Sequence, residues 1–85
     1  MSYRVELVKS AERALRRLPV EDAARVGRAI DALADEPRPR ASKKLSGLAM
    51  WRLRVGEYRV LYTLSDRMKC ITVHQIERRT TTTYD

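Results

Sequence analysis

The sequence holds one cysteine, Cys70, and one histidine, His74, in 85 residues. A single thiol closes no disulfide within the chain, which excludes a disulfide-stapled secreted fold and fits a reducing cytoplasm. With no CxxC or HxxxH spacing, these two residues make no metal motif, and no cofactor is expected. Long apolar runs are also missing. The opening residues, MSYRVELVKS, contain no apolar signal segment, and no later run approaches the length of a membrane span. The expectation is a cytoplasmic chain that stays off the membrane. Acidic residues are scarce in the second half. Residues 38–85 hold eleven basic and four acidic side chains, whereas residues 1–37 hold seven of each. The whole net charge of +7 therefore lies in residues 38–85. Fourteen of the 18 basic residues are arginine, whose planar fork suits phosphate and carboxylate. A basic half on a neutral half points to a polyanionic partner, with nucleic acid the first candidate.

What is present describes one small folded domain spanning residues 1–85. Hydrophobic content is 44%, ordinary for a globular protein. YRVEL, from Tyr3 to Leu7, alternates apolar and charged residues and reads as a strand. Ser10 stands at a helix N-cap position, and Ala11, Ala14, Leu15 and Leu18 follow at helical spacing. Pro19 separates this helix from a second one over about Val20 to Ala34, with its stripe of Ala23, Val26, Ala29, Ile30, Leu33 and Ala34. Residues 37–47, PRPRASKKLSG, read as a basic linker. Three strands follow, at about Met50–Val55, Tyr58–Ser65 and Cys70–Ile76, with a turn at residues 66–69. The order β-α-α-β-β-β predicts an α+β fold: a small antiparallel sheet with a helical hairpin on one face.

The stretch WRLRVGEYRVLY, Trp51 to Tyr62, carries the most information. Gly56-Glu57 offers a two-residue turn with Gly at its first central position, as a type II′ hairpin requires. That turn places Val55 opposite Tyr58, Arg54 opposite Arg59, Leu53 opposite Val60, Arg52 opposite Leu61 and Trp51 opposite Tyr62. One face is then apolar, with Trp51, Tyr58 and Tyr62 in the core. The other face sets Arg54 against Arg59, a like-charge pair that costs a few tenths to about 1 kcal/mol. An anionic partner offsets that cost. In the last strand Ile71 and Val73 point to the core, and a regular strand gives Arg78 the parity of Thr72 and His74. The uncovered face is thus expected to be basic.

These residues are together similar to a known family. The helix pair, then KLSGL, then WRLRVGEYRVLY, then a terminal Arg-Arg and Tyr, resemble the RelE branch of the RelE/ParE toxin superfamily from Tyr3 to Tyr84. The specific core is the K-L-x-G…W-R-L-R-V-G-x-Y-R-V-x-Y segment, residues 44–62. The resemblance implies the toxin of a type II toxin–antitoxin system. It implies a metal-independent mRNA interferase that enters the ribosomal A site and cleaves mRNA by attack of the 2′-hydroxyl on the adjacent phosphate. It implies catalytic roles for Arg52, Arg54, Arg59, Arg78 and Tyr84, and RNA contacts from Arg38, Arg40, Lys43, Lys44 and Arg79. The implied partners are the ribosome with its mRNA and a cognate antitoxin whose acidic C-terminal segment is partly disordered when free.

The chain departs from the family pattern at the basic pair. Lysine is frequent there, but this sequence has Arg52 and Arg54. Arginine stays protonated and makes a poor general base. The proton acceptor is left open between His74, the chain's one imidazole, and a group of the substrate or ribosome. Two other functions share the fold: a ParE-like inhibitor of DNA gyrase without chemistry of its own, and an inactive, binding-only member.

Overall fold

The structure, a computed structural model, describes residues 2–45, 47 and 49–78. Seven elements follow one another: β1 (Arg4–Leu7), α1 (Lys9–Arg16), α2 (Val20–Ala32), β2 (Ser42–Lys44), β3 (Trp51–Val55), β4 (Tyr58–Ser65) and β5 (Cys70–Arg78). The strands form one sheet in the order β1-β5-β4-β3-β2. The α+β architecture is the expected one, with two corrections. Residues 42–44 of the basic segment are a fifth strand, antiparallel to β3 at the sheet edge. Lys43 and Lys44 gave no apolar alternation to reveal it. The strand is fixed by backbone bonds instead: Arg54 N–H donates to Ala41 O at 3.2 Å, and Leu45 N–H to Met50 O at 2.9 Å. Second, β1 runs parallel to β5, with Val5 opposite Ile71 and Leu7 opposite Val73, so the sheet is mixed. The chain leaves β1 through two helices and enters β2 antiparallel to β1; three antiparallel steps then bring β5 beside β1 in β1's own direction.

α1 begins earlier than Ser10 suggested. Its N-cap is Val8, which makes no side-chain cap bond. Val8 N–H is committed to Val73 O at 3.0 Å, and Val8 O accepts from Glu12 N–H at 2.9 Å, so strand pairing and helix start share one residue. Pro19, in an extended conformation, opens α2.

The core is one cluster. Ala11 of α1 and Val26, Ile30 and Leu33 of α2 and its C-terminal end meet Leu53, Val55, Tyr58, Val60, Tyr62, Ile71, Val73 and Ile76 of the sheet. All eight sheet members lie on one face, and both helices cover that face. Trp51 and Leu15 pack at its margin.

The β3–β4 hairpin has the register expected from the sequence, from Trp51↔Tyr62 to Val55↔Tyr58. Gly56 sits at φ +59°, and Glu57 has no positive φ, which is the type II′ pattern. A Cβ on Gly56 would also stand 2.7 Å from the Arg25 guanidinium. Arg25 can swing aside, so the backbone decides: Gly56→Ala should cost about 1–2 kcal/mol, the usual left-handed penalty. Chemical denaturation of the two proteins checks this.

Candidate nucleic-acid interface

The face of the sheet turned away from the helices carries the expected arginines. β3 contributes Arg52 and Arg54, and β4 contributes Arg59 directly opposite Arg54. β2 adds Lys43 directly opposite Arg52, so the fifth strand extends the basic row. Directly opposed residues share a face, which is why these four cations lie together across three strands. Lys43 is exposed, and the three arginines are half-buried. The Nε atoms of Arg52 and Arg54 are shielded from solvent.

The cost of facing Arg54 with Arg59 is offset inside the chain. Glu77 of β5 lies directly opposite Arg59. Its Oε1 accepts from Arg59 Nε at 2.8 Å and also from Nη2. Its Oε2 accepts from Gln75 Nε2 at 2.7 Å. The row across the sheet is therefore cation, cation, carboxylate.

Glu77 reaches this face through a bulge. The β4–β5 register shifts at Leu61/Tyr62, so Leu61 faces Gln75 while Tyr62 faces Val73, and His74 is the extra residue. The bulge corrects the position of Arg78. A regular strand would have kept it with Thr72 and His74, but the inserted residue flips the parity. Arg78 now lies opposite Tyr58 on the helix side. Its Nη2 contacts Glu57 Oε1 of the hairpin turn at 3.1 Å, with both side chains well exposed. That contact holds the guanidinium above its ordinary pKa. Tyr58 is itself engaged, donating to Asp22 Oδ2 of α2 at 2.8 Å, and this bond raises the phenol above its usual range. His74 stays on the open face, where Nε2 lies 2.9 Å from Thr63 Oγ1.

The remaining expected contacts are scattered. Arg38 grips Asp66 with two nitrogens, at 2.7 and 3.3 Å. The same carboxylate accepts from the Tyr3 hydroxyl. Arg38, then Tyr3, hold Asp66 below the ordinary carboxylate range. The Arg38 guanidinium also lies over Trp51, 5.4 Å from the ring centre. Arg38 thus ties residues 37–39 to the β4–β5 turn. Arg40 is exposed just before β2, and Lys44, the last residue of β2, is exposed opposite Trp51 and so on the other face from Lys43. Arg79 and Tyr84 lie outside the described residues. Among the described residues no group of three or more His, Cys, Asp or Glu side chains is placed to hold a metal. No helix among them is long and apolar enough to cross a membrane.

Residues 13–85 match the family described as Phage derived protein Gp49-like (DUF891). The chain is 33% identical to RelE in the archaeal RelE–RelB complex from Pyrococcus horikoshii OT3, covering 95% of this chain and 99% of that one, with a TM-score of 0.84. The chain belongs to the RelE-type toxin family. The toxin–antitoxin complex RelBE2 from Mycobacterium tuberculosis matches at 27% identity over 93% of each chain, with a TM-score of 0.80. The isolated Escherichia coli RelE toxin shares the fold at 18% identity, covering 95% of this chain and 88% of that one, with a TM-score of 0.82. No curated protein matches the chain.

Within this RelE-type fold, sequence reasoning missed Glu77 and Gln75. A signal was there. Ile71, Val73 and Ile76 are spaced by two and then by three, which breaks the strand period. A single inserted residue restores the apolar face at Ile76, and the same insertion turns Glu77 toward Arg59.

Proposed function

We propose that this chain is the toxin of a type II toxin–antitoxin pair and acts as a ribosome-dependent mRNA endonuclease in the cytoplasm. The observation that carries the reading is the row of Lys43, Arg52, Arg54 and Arg59 on the sheet face away from the helices, in a RelE-type chain. In the proposed reaction the 2′-oxygen bonds to the adjacent phosphorus and the P–O5′ bond breaks. The products are a 2′,3′-cyclic phosphate and a 5′-hydroxyl. The 2′-hydroxyl loses a proton and the departing 5′-oxygen gains one. Negative charge grows on the phosphate's non-bridging oxygens, and fixed guanidinium groups stabilise it.

Arg52, Arg54 and Arg59 supply those groups. The resemblance adds Arg78 and Tyr84. Lys43, Lys44, Arg40 and Arg38 hold RNA phosphates by charge alone, and the resemblance adds Arg79. Three arginines that stay protonated accept no proton, so naked RNA should be cut poorly and the ribosome should complete the site.

The regulator is a cognate antitoxin. RelE partners RelB in the solved complexes named above. An acidic segment, partly disordered when free, fits a net charge of +7 confined to residues 38–85.

The test is to induce the protein and map mRNA 5′ ends alongside DNA supercoiling. Codon-spaced cuts within translated mRNA are expected. Gyrase-linked DNA damage with intact mRNA would reject the reading in favour of a ParE-like inhibitor. Cleavage on purified programmed ribosomes should survive chelation once the ribosomes' own magnesium need is met. A strict need for added zinc or manganese at the toxin would refute the metal-independent step.

A further inference from the structure

The ion pairs of this chain differ in how firmly they are held. Arg4–Glu6, Arg16–Glu12 and Arg78–Glu57 join side chains that are each more than half exposed. Pairs of that kind are screened and exchange readily with solvent. In Arg59–Glu77 the side chains are 28% and 29% exposed. Both Glu77 oxygens are occupied: Oε1 by Arg59, Oε2 by Gln75 at 2.7 Å. Arg59 meets the carboxylate with its Nε and Nη2 edge, and a phosphate uses that same edge of a guanidinium. The pair closes the basic row on its β5 side, with Arg59 opposite Arg54.

We infer that Glu77 is a built-in competitor for the anion that Arg59 binds, a carboxylate standing where an incoming phosphate group would sit. The inference rests on the reading of the open face as a polyanion site. A polyanion reaching Arg59 must displace Glu77 or bind beside its negative charge. Either route lowers affinity for a short, free strand. A partner that makes many other phosphate contacts overcomes the penalty, so the carboxylate favours a large RNA surface over stray RNA. Gln75 is the positioning residue: its amide fixes the second oxygen and keeps Glu77 turned toward Arg59.

Glu77→Gln removes the charge and keeps the shape. Glu12→Gln, on α1 and away from this face, makes the same change in net charge and is the control. On immobilised heparin, Glu77→Gln should elute at clearly higher salt than Glu12→Gln. Gln75→Ala, with no change in net charge, should shift elution in the same direction by less. With a single-stranded RNA oligonucleotide carrying uncleavable 2′-O-methyl groups, Glu77→Gln should bind about tenfold tighter than wild type. Its log affinity should fall with log salt more steeply by about 0.7, the share of one added phosphate contact on a single strand. In an Arg59→Ala background the gain from Glu77→Gln should shrink to that of Glu12→Gln. Equal heparin elution of Glu77→Gln and Glu12→Gln overturns the inference. So does a gain that survives Arg59→Ala, which would be a general charge effect. A heparin shift at Glu77 with no RNA binding by any variant leaves the competitor in place and rejects RNA as the ligand.

Discussion

Arg59→Ala is expected to lower cleavage of ribosome-bound mRNA by about 10²–10³-fold, the usual loss when one preorganised donor to a developing oxyanion is removed. Folding should barely change. Arg59 pairs with Glu77 at a partly exposed site, and such pairs contribute roughly 0–1 kcal/mol. The same substitution relieves the Arg54–Arg59 opposition, a gain of roughly 0.2–1 kcal/mol. The two effects oppose, so the melting temperature should stay within a few degrees of wild type. Arg78→Ala is the informative comparison. Its guanidinium lies on the helix side against Glu57, and its loss should reduce cleavage less than the loss of Arg59. Single-turnover cleavage with thermal melts of both variants decides the matter. Full activity in Arg59→Ala, or a variant that does not fold, removes Arg59 from the chemistry. An equal loss in Arg78→Ala would bring the helix-side end of β5 into the site.

The hairpin was legible because three local signals agreed. Alternation fixed the buried face, Gly56 fixed the turn, and a two-residue turn fixed the register to the residue. Both helices were legible from their apolar stripes for the same reason. The failures have a common cause: each depended on a partner distant in sequence. β2 exists because β3 offers it an edge, and nothing in SKK shows that edge. β1 is parallel to β5 because three antiparallel strands intervene between the helices and β5. The bulge at His74 moved Arg78 off the arginine face and brought Glu77 onto it. Arg38 pairs with Asp66, 28 residues away, a contact that the charge pattern does not show. Charge type was therefore readable from composition. Which charges are already neutralised was not, because that is a property of tertiary pairing.

Tyr62 shows how one side chain joins core and basic segment, and its removal should have the largest effect on stability. It is fully buried in the centre of β4. Its hydroxyl donates to Pro37 O at 2.7 Å, so the start of the basic segment is pinned to the core. Burial pushes this phenol above its usual range, so it stays a donor at any physiological pH. Tyr62→Ala deletes the ring and leaves a cavity, at a cost of about 3–5 kcal/mol for an aromatic of this size. It also strips the Pro37 carbonyl of its donor. A domain of 85 residues stands near the low end of the ordinary stability range of about 5–15 kcal/mol. Tyr62→Ala should therefore lower the melting temperature by well over 10 °C, since each kcal/mol shifts a small domain by about 4–8 °C. Tyr62→Phe separates the two contributions. It keeps the ring and loses only the bond, so it should cost about 1–3 kcal/mol. Its amide exchange should rise at Ser42, whose N–H bonds Pro39 O at 2.9 Å beside the released segment. Exchange at Val60 and Val73, in the core strands, should stay slow. Uniform loss of protection across the sheet in Tyr62→Phe would mean that the bond to Pro37 supports the whole core and not the basic segment alone.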